Sequence, residues 1–328
     1  MSFLKSVAYM FRHHRQARID MVVMMGLSLL LLCFCTCNGN QSTLIDLVPS
    51  DSCALVVIDW STVRADRDLK RAFNGDQLEV VLQQLGLDSS AVKSIAIFSA
   101  MNSHAKAGML MRGPLNRQSQ ISALKTRGWR EEADNGHQLF VKGRDYVALP
   151  QGNTFFAGTR EGALAVFQTL NDRRLSFSSS TSYKKILAGM TTQNNPIRAF
   201  LVIPHGTLDM ADAALEATSF ALSLFDLGGI GQLLKQINVA SGFGLGLGLS
   251  TDHLYPVEMC VLMRDEKAAA FISGSLNLLK SFSGAAATNA RGEQAIQTLR
   301  DLSITRRGEV LSLKLKVPQT ALSPLGGP

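Results

Sequence analysis

The chain has 328 residues, of which 46% are apolar, and it carries a formal net charge of +7. This length allows two domains, and this composition suits a packed core, so it argues against a wholly disordered chain. The first 20 residues hold four basic side chains and one acidic one, which leaves +4 for the rest of the chain. So small an excess does not indicate a nucleic-acid-binding protein, which usually concentrates its basic residues in one stripe.

A basic head, residues 1–20, precedes an uncharged and strongly apolar run over residues 21–35. As a helix this run would reach about 22 Å, near the lower limit for crossing a bilayer, and it also fits the apolar part of a secretory signal. No basic residue follows it until Arg64. The positive-inside rule then places the head in the cytoplasm and the body outside, in the periplasm or at the cell surface. We predict a signal or membrane anchor over residues 21–37. The alternative is a buried helix of a soluble domain, and an unbroken apolar run disfavours it.

Three cysteines, at positions 33, 35 and 37, close the apolar run. Cys37 is the lipidation candidate because polar residues follow it, as in a bacterial lipoprotein signal. Thr36 and Cys35 depart from the small residues that such signals prefer in front of the modified cysteine. A lipoprotein and an uncleaved anchor both stay open, with simple secretion as a third alternative.

Two further cysteines, Cys53 and Cys260, lie in the body of the chain. In an oxidising compartment they could form one disulfide. The alternative is that each is a small core residue, since Cys260 lies in an apolar run. The body contains no Cys-x-x-Cys pair and no Cys/His spacing typical of a metal site, so the sequence predicts no metal and no cofactor.

Strand-like and helix-like patterns alternate along the body. In chain order, the first half predicts strand 54–59, helix 68–85, strands 92–98 and 107–112, helix 117–126, strands near 139–141, 146–149 and 154–157, and helix 160–170. The Ser-rich piece over residues 176–182 predicts an exposed loop. In the second half, long helices are predicted over about 208–236 and 265–285. A polar run at 191–196 marks the join.

Short matches suggest that the second half repeats the first. Val57-Ile58 corresponds to Val202-Ile203, and Gly136 with Leu139 and Val141 corresponds to Gly308 with Leu311 and Leu313. The shared order of strands and helices supports a duplication. We therefore predict an α+β fold of two similar sheet-and-helix repeats, with mixed or antiparallel sheets and helices on one face. The predicted segments are the head 1–20, the anchor 21–37, a linker 38–50, the repeats 51–190 and 197–318, and a disordered tail 319–328.

The segment Val48-Pro49-Ser50-Asp51 is followed by a hydrophobic strand and a leucine-spaced helix. This pattern resembles bacterial envelope proteins of unknown function, which carry duplicated α+β units behind a signal or anchor. The resemblance extends over most of residues 44–318 as a pattern. It implies a fold and a location in the cell envelope. It implies no catalytic residue.

Reactive motifs are missing from the sequence: there is no Gly-x-Ser-x-Gly, no phosphate-binding loop and no His-Glu-x-x-His. The body histidines are scattered, and His137 follows an Asn-Gly turn signal, which predicts an exposed turn residue. A basic stretch from Arg112 to Arg130 predicts an ordinary solvated face or, alternatively, a site for anionic headgroups. We predict that the protein is not an enzyme.

An alternating glycine run is the sharpest candidate for a ligand site. In a strand, Gly242, Gly244, Gly246 and Gly248 all face one side of the sheet. They predict either close packing of the helix over 208–236 or a groove for a lipid-like tail.

Two functions remain from the sequence. One is a non-catalytic scaffold, assembly subunit or binding module, tethered to the membrane and in contact with an envelope protein. The other is a carrier of a lipid or hydrophobic ligand.

Overall fold

The computed structural model describes residues 44–72, 75–100, 106–191, 195–203, 240–282 and 301–318. These residues form two compact units, which divide in the chain between Ser180 and Thr181. The predicted anchor 21–37, the lipidation candidate Cys37, the predicted helix over 208–236 and the tail 319–328 lie outside the described residues.

The first unit contains seven strands and five α-helices among its described residues. The strands are β1 (Ser52–Asp59), β2 (Ser94–Ala100), β3 (Ala107–Arg112), β4 (Arg130–Asp134), β5 (His137–Lys142), β6 (Asp145–Gln151) and β7 (Thr154–Gly158). The helices are α1 (Trp60–Ala65), α2 (Arg67–Ala72), α3 (Gly75–Gln84), α4 (Arg117–Thr126) and α5 (Arg160–Asn171), followed by short 3₁₀ helices at Arg173–Leu175 and Phe177–Ser179.

The described part of the second unit contains five strands and two α-helices. The strands are β8 (Ile197–Val202), β9 (Ala240–Leu247), β10 (Leu254–Met263), β11 (Ser303–Arg307) and β12 (Val310–Pro318). The helices are α6 (Thr181–Gly189) and α7 (Glu266–Phe282).

The strands of each unit form antiparallel ladders. The order is β1-β2-β3-β7-β6-β5-β4 in the first unit and β8-β9-β10-β12-β11 in the second. Neighbours in both orders are antiparallel. The predicted α+β class is therefore confirmed.

Two predicted elements are confirmed to the residue. Strand β3 and helix α4 have the predicted bounds of 107–112 and 117–126. The single helix predicted over 68–85 is instead two helices, α2 and α3. Asp59 ends β1 and starts α1, since its carboxylate accepts a hydrogen bond from Ser61 N at 3.0 Å and so caps the helix.

The Ser-rich piece is not an exposed loop, contrary to the prediction. Ser176 and Phe177 are buried, and α6 begins at Thr181. Helix α6 packs on β9, β10 and β12 of the second unit. The chain therefore divides ahead of the polar run that was predicted to be the join.

Helices cover both faces of the first unit's sheet, rather than one face as predicted. His137 and Gln138 are consecutive residues of β5, so their side chains point to opposite faces. The His137 ring stacks on Phe167 of α5 with ring centroids 4.0 Å apart. Gln138 Oε1 accepts a hydrogen bond from Arg117 Nη2 of α4 at 3.0 Å. Helices α4 and α5 therefore lie on opposite faces.

The second unit is built in a similar way. Ser312 Oγ of β12 donates to Gly189 O of α6 at 2.8 Å. Arg306 pairs with Leu311 in the ladder, so both point to the face opposite Ser312. Arg306 Nη1 donates to Glu266 O, at the start of α7, at 3.4 Å. Helices α6 and α7 are thus joined to opposite faces of this sheet.

Candidate functional site

A cavity of about 60 Å³ lies in the first unit, on the face that carries α5. Its walls come from the segment before β1, the ends of β3 and β6, helix α5 and the first 3₁₀ helix. It is lined by Asp46, Leu47, Arg112, Gln151, Thr169, Leu170 and Arg173.

Arg112 is the buried charge of this cavity, with 9% of its surface exposed. It is the last residue of β3, where the ladder pairs it with Ser94 on one side and Thr154 on the other. Burial lowers the pKa of the Arg112 guanidinium, and the negative charge of Asp46 acts in the opposite direction. The cavity therefore holds a cation in a partly desolvated place, where it interacts strongly with any anion that reaches it.

The wall that contains Asp46 is held by hydrogen bonds to helix α5 and to the chain after it. Ser178 Oγ donates to Asp46 Oδ1 at 2.5 Å. Phe177 N donates to Val48 O at 2.7 Å, and Thr169 Oγ1 donates to Leu47 O at 2.8 Å. These bonds fix the segment before β1 against α5 and the 3₁₀ helices, so the cavity is bounded by well-anchored backbone.

The formal charges around the cavity are two guanidinium groups, on Arg112 and Arg173, and one carboxylate, on Asp46. Gln151 and Thr169 add polar atoms to the wall. An excess of one positive charge, with planar donors that match oxyanion geometry, suits a small anion. The lining offers donors that can hold such a group; it does not place a nucleophile beside a base.

The basic stretch predicted from the sequence does not converge. Arg117 Nη1 donates to Leu149 O at 2.6 Å, and Lys125 pairs with Glu131 at 2.7 Å. Arg112 is the residue of this stretch that lines the cavity. The second cation of the cavity, Arg173, comes from a distant part of the sequence. No pattern in the sequence links the two positions, because the fold alone brings them together.

The alternating glycines of β9 face α6 and the residues after it. A side chain at Gly244 would collide with Ile186 Cγ2, and one at Gly246 would come within 2.6 Å of Met190 Cε. The glycines therefore accommodate close packing of α6, and the predicted packing of the helix over 208–236 lies outside the described residues. Ile186 and Met190 fill the space beside Gly244 and Gly246, and the ligand groove at the four glycines stays a prediction.

A polar row crosses the second sheet beside these glycines. The ladders align Arg198, Gly246, Glu258 and Lys314 on neighbouring strands, so all four point to the same face. Glu258 Oε1 accepts hydrogen bonds from Thr191 N at 2.9 Å and Thr191 Oγ1 at 2.8 Å. Lys314 Nζ lies 3.5 Å from the same oxygen. The row thus ties the end of α6 to the sheet.

Cys53 and Cys260 are free thiols in the structure, and both are buried. Cys53 Sγ donates to Ser99 O at 3.3 Å, and Cys260 Sγ lies 3.3 Å from Ser312 Oγ. Burial raises the pKa of each thiol from 9.0 to about 11. Each cysteine is therefore a core residue with a local partner, and the disulfide considered from the sequence is not formed here.

The histidines within the described ranges do not gather into a site. His137 stacks on Phe167, and His253 sits in a tight turn with a φ of 61°. Among the described residues, no group of three or more His, Cys, Asp or Glu side chains is arranged to hold a metal ion. His104 and His205 lie outside the described residues. No described helix is both long and apolar enough to cross a bilayer.

No known protein family matches the sequence, and no curated protein matches it either. Solved structures that resemble the fold include crystal forms I, III and IV of TP0453, with TM-scores of 0.47, 0.48 and 0.49. The identities are 10%, 11% and 10%, and each comparison covers 85% of this chain and 94% or 95% of the other. A likeness of this degree identifies neither a family nor an activity.

Proposed function

We propose that the protein is tethered to a membrane by residues 21–37 and that its body acts outside the cytoplasm without catalysis, as a scaffold, assembly subunit or binding module. The observation that carries this proposal is the uncharged apolar run over residues 21–35 behind a basic head, with no further basic residue until Arg64. Such a run directs the following chain across a bilayer. The partner is an envelope protein or a lipid.

The tether is short, which keeps the body at the membrane surface. The described fold starts at Leu44, a fully buried residue, seven residues after Cys37. Seven extended residues span at most about 25 Å. Whether Cys37 carries a lipid or the apolar run remains as an anchor, the start of the first unit is held within that distance of the bilayer.

We further propose that the body arose by duplication of one α+β unit. The strand order supports this. When β6 and β7 are left out, the strands of the first sheet lie in the spatial order β1-β2-β3-β5-β4. The second sheet has the corresponding order β8-β9-β10-β12-β11, in which the last two strands are again exchanged relative to the chain. In both units a helix precedes a two-stranded hairpin, α4 before β4–β5 and α7 before β11–β12. The β6–β7 hairpin is then an insertion into the first copy.

A carrier of a lipid or hydrophobic ligand remains the alternative function. It would need the glycine face of β9 to open, which means that Ile186 and Met190 would leave their present positions. The cationic cavity of the first unit does not depend on such a movement. We therefore favour a binding module over a carrier.

Cell fractionation with intact-mass measurement tests the tether. We expect the full-length protein in the membrane fraction, and its body cut by protease added to spheroplasts. If Cys37 is lipidated, the mass will show loss of the first 36 residues and gain of a diacylglyceryl group, and Cys37→Ser will abolish that change. Recovery of the intact chain as free cytosolic protein would refute the proposal.

A further inference from the structure

The cavity lies close to the point where the predicted tether joins the body. Asp46 and Leu47 line it, and both follow the first described residue, Leu44, within three positions. Nine extended residues from Cys37 to Asp46 span at most about 32 Å. This inference rests on the proposed membrane tether, which would place the cavity within reach of lipid headgroups.

The lining suits a phosphate group. Guanidinium groups bind phosphate oxygens in a bidentate manner, and they are weakly hydrated, which makes them the preferred partners of phosphate in partly buried places. Arg112 is buried at the cavity wall, while Arg173 belongs to an exposed 3₁₀ turn. The two cations outnumber the single carboxylate of Asp46, so a monoanion would balance the charge of the cavity.

The size of the cavity limits what can enter. A volume of about 60 Å³ is several times the roughly 10–15 Å³ that one water molecule needs. A phosphate group fits such a space, whereas an acyl chain does not. A lipid bound here would therefore place its phosphate in the cavity and leave its chains in the bilayer.

We propose that the cavity between Arg112 and Arg173 binds the phosphate group of a membrane-lipid headgroup. Two sources share this chemistry, an anionic phospholipid and free inorganic phosphate. The tether favours the lipid, because it holds the cavity near a surface dense in phosphodiesters. Binding there would fix the orientation of the body on the membrane.

The test compares two neighbouring arginines. Arg173 lines the cavity. Arg174 is also exposed, but its guanidinium is engaged by Asp172, with Nε–Oδ1 at 3.0 Å and Nη2–Oδ2 at 2.9 Å. Arg173→Gln removes a cavity charge from an exposed side chain, so the variant should fold. Arg174→Gln is the matched control, because it makes the same change in net charge next to the cavity.

The measurement is the unfolding temperature of the full-length protein in a neutral detergent, titrated with dihexanoyl phosphatidylglycerol or with inorganic phosphate at constant ionic strength. We expect the short-chain lipid to raise the unfolding temperature of the parent protein and of Arg174→Gln. Loss of one charge-assisted contact should weaken the apparent affinity of Arg173→Gln by about tenfold or more.

Each outcome decides the proposal. Equal responses of the two variants, or no response to either ligand, would overturn it. A response to inorganic phosphate alone, lost in Arg173→Gln, would assign the cavity to free phosphate and overturn the lipid source. Because the titration is done in detergent, it does not depend on where the protein resides in the cell. A failure of the tether therefore shows in the fractionation and not here.

Discussion

Two arginines, Arg112 and Arg198, lie on strands with less than a tenth of their surface exposed. Burial lowers the pKa of both guanidinium groups, although arginine stays charged at physiological pH. A buried cation is costly unless oxygen atoms surround it. In the second unit Arg198 lies beside Gly246 in the ladder, and the space above this glycine is occupied by Asn195 Nδ2 and Met190 Cε. In the first unit Arg112 lines a cavity.

At the same scale, the two buried thiols should react slowly with electrophiles. A pKa raised from 9.0 to about 11 makes the thiolate fraction below pH 9 about a hundredfold smaller than in the unfolded chain. Cys53 and Cys260 should therefore resist iodoacetamide at pH 8 in the native protein and react once it is unfolded. Peptide mapping by mass spectrometry would read each position separately from the three cysteines of the apolar run.

The same pKa change gives a pH dependence of stability. Because the folded-state pKa lies above the unfolded value, the protonated thiols favour the folded state fully below about pH 9, and this contribution is lost as the pH rises toward 11. Replacing both cysteines by serine should remove that part of the alkaline loss of stability. Modification of both cysteines at equal rates in native and unfolded protein, or a disulfide between them in the oxidised protein, would contradict the assignment of two buried free thiols.

At the scale of elements, the packing of α6 on β9 can be tested at one glycine. The Cβ of Gly244→Ala would collide with Ile186 Cγ2. Overpacking of this kind costs about 1–3 kcal/mol of unfolding free energy. Denaturant titration should therefore show a lower midpoint for Gly244→Ala.

Gly274→Ala is the matched control. Nothing lies within 4 Å of a Cβ built at Gly274 in α7, so alanine there should stabilise the helix by about 0.5–1 kcal/mol. Ile186→Ala combined with Gly244→Ala should destabilise by less than the sum of the two single changes, because the two positions are in contact. If Gly244→Ala is as stable as the parent, α6 does not rest on the glycine face, and the groove for a ligand becomes the better interpretation.

The elements also show what the sequence can predict. Strand β3 is an unbroken apolar run that ends at Arg112, and helix α4 begins after Asn116, whose side chain caps it. Strand β4 was missed because all but one of its residues are exposed, so no alternation marks it. Its only sequence signal is the Asn135-Gly136 turn, whose residues have φ of 49° and 78° and which therefore implies a strand on each side.

The candidate site could not be predicted in the same way. Arg112 was visible as one of several basic residues, yet nothing local distinguishes it from Arg117, which bonds Leu149 O. Arg173 and Asp46 reach the cavity through the packing of α5 and the segment before β1. A site made of residues far apart in the sequence leaves no periodic or spaced motif, whereas the glycine run left a clear one and proved to face a packed helix.

At the scale of the whole molecule, the proposed tether and the proposed headgroup site would both hold the body near a bilayer. With the tether proposed above, residues 38–43 and their neighbours would extend at most about 25 Å, so the first unit would stay within that distance of the bilayer. A longer connection would behave as a flexible coil and release the body to greater distances. The proposal therefore predicts that the length of this segment sets the distance of the first unit from the bilayer.

Energy transfer from tryptophan to a headgroup-labelled lipid measures this distance. Both tryptophans, Trp60 and Trp129, belong to the first unit. In vesicles that contain a dansyl-labelled phospholipid, the reconstituted full-length protein should show marked transfer. Insertion of about 20 Gly/Ser residues after Asn40 should reduce it, because a flexible chain of that length widens the range of distances. The same insertion after Pro318 should leave the transfer unchanged, since it does not lengthen the connection between the anchor and the first unit. Equal transfer for the two insertions would mean that something other than residues 38–43 holds the body at the membrane. Headgroup binding at the cavity would then be the first contact to test. The test is to add Arg173→Gln to the lengthened chain and measure the transfer again.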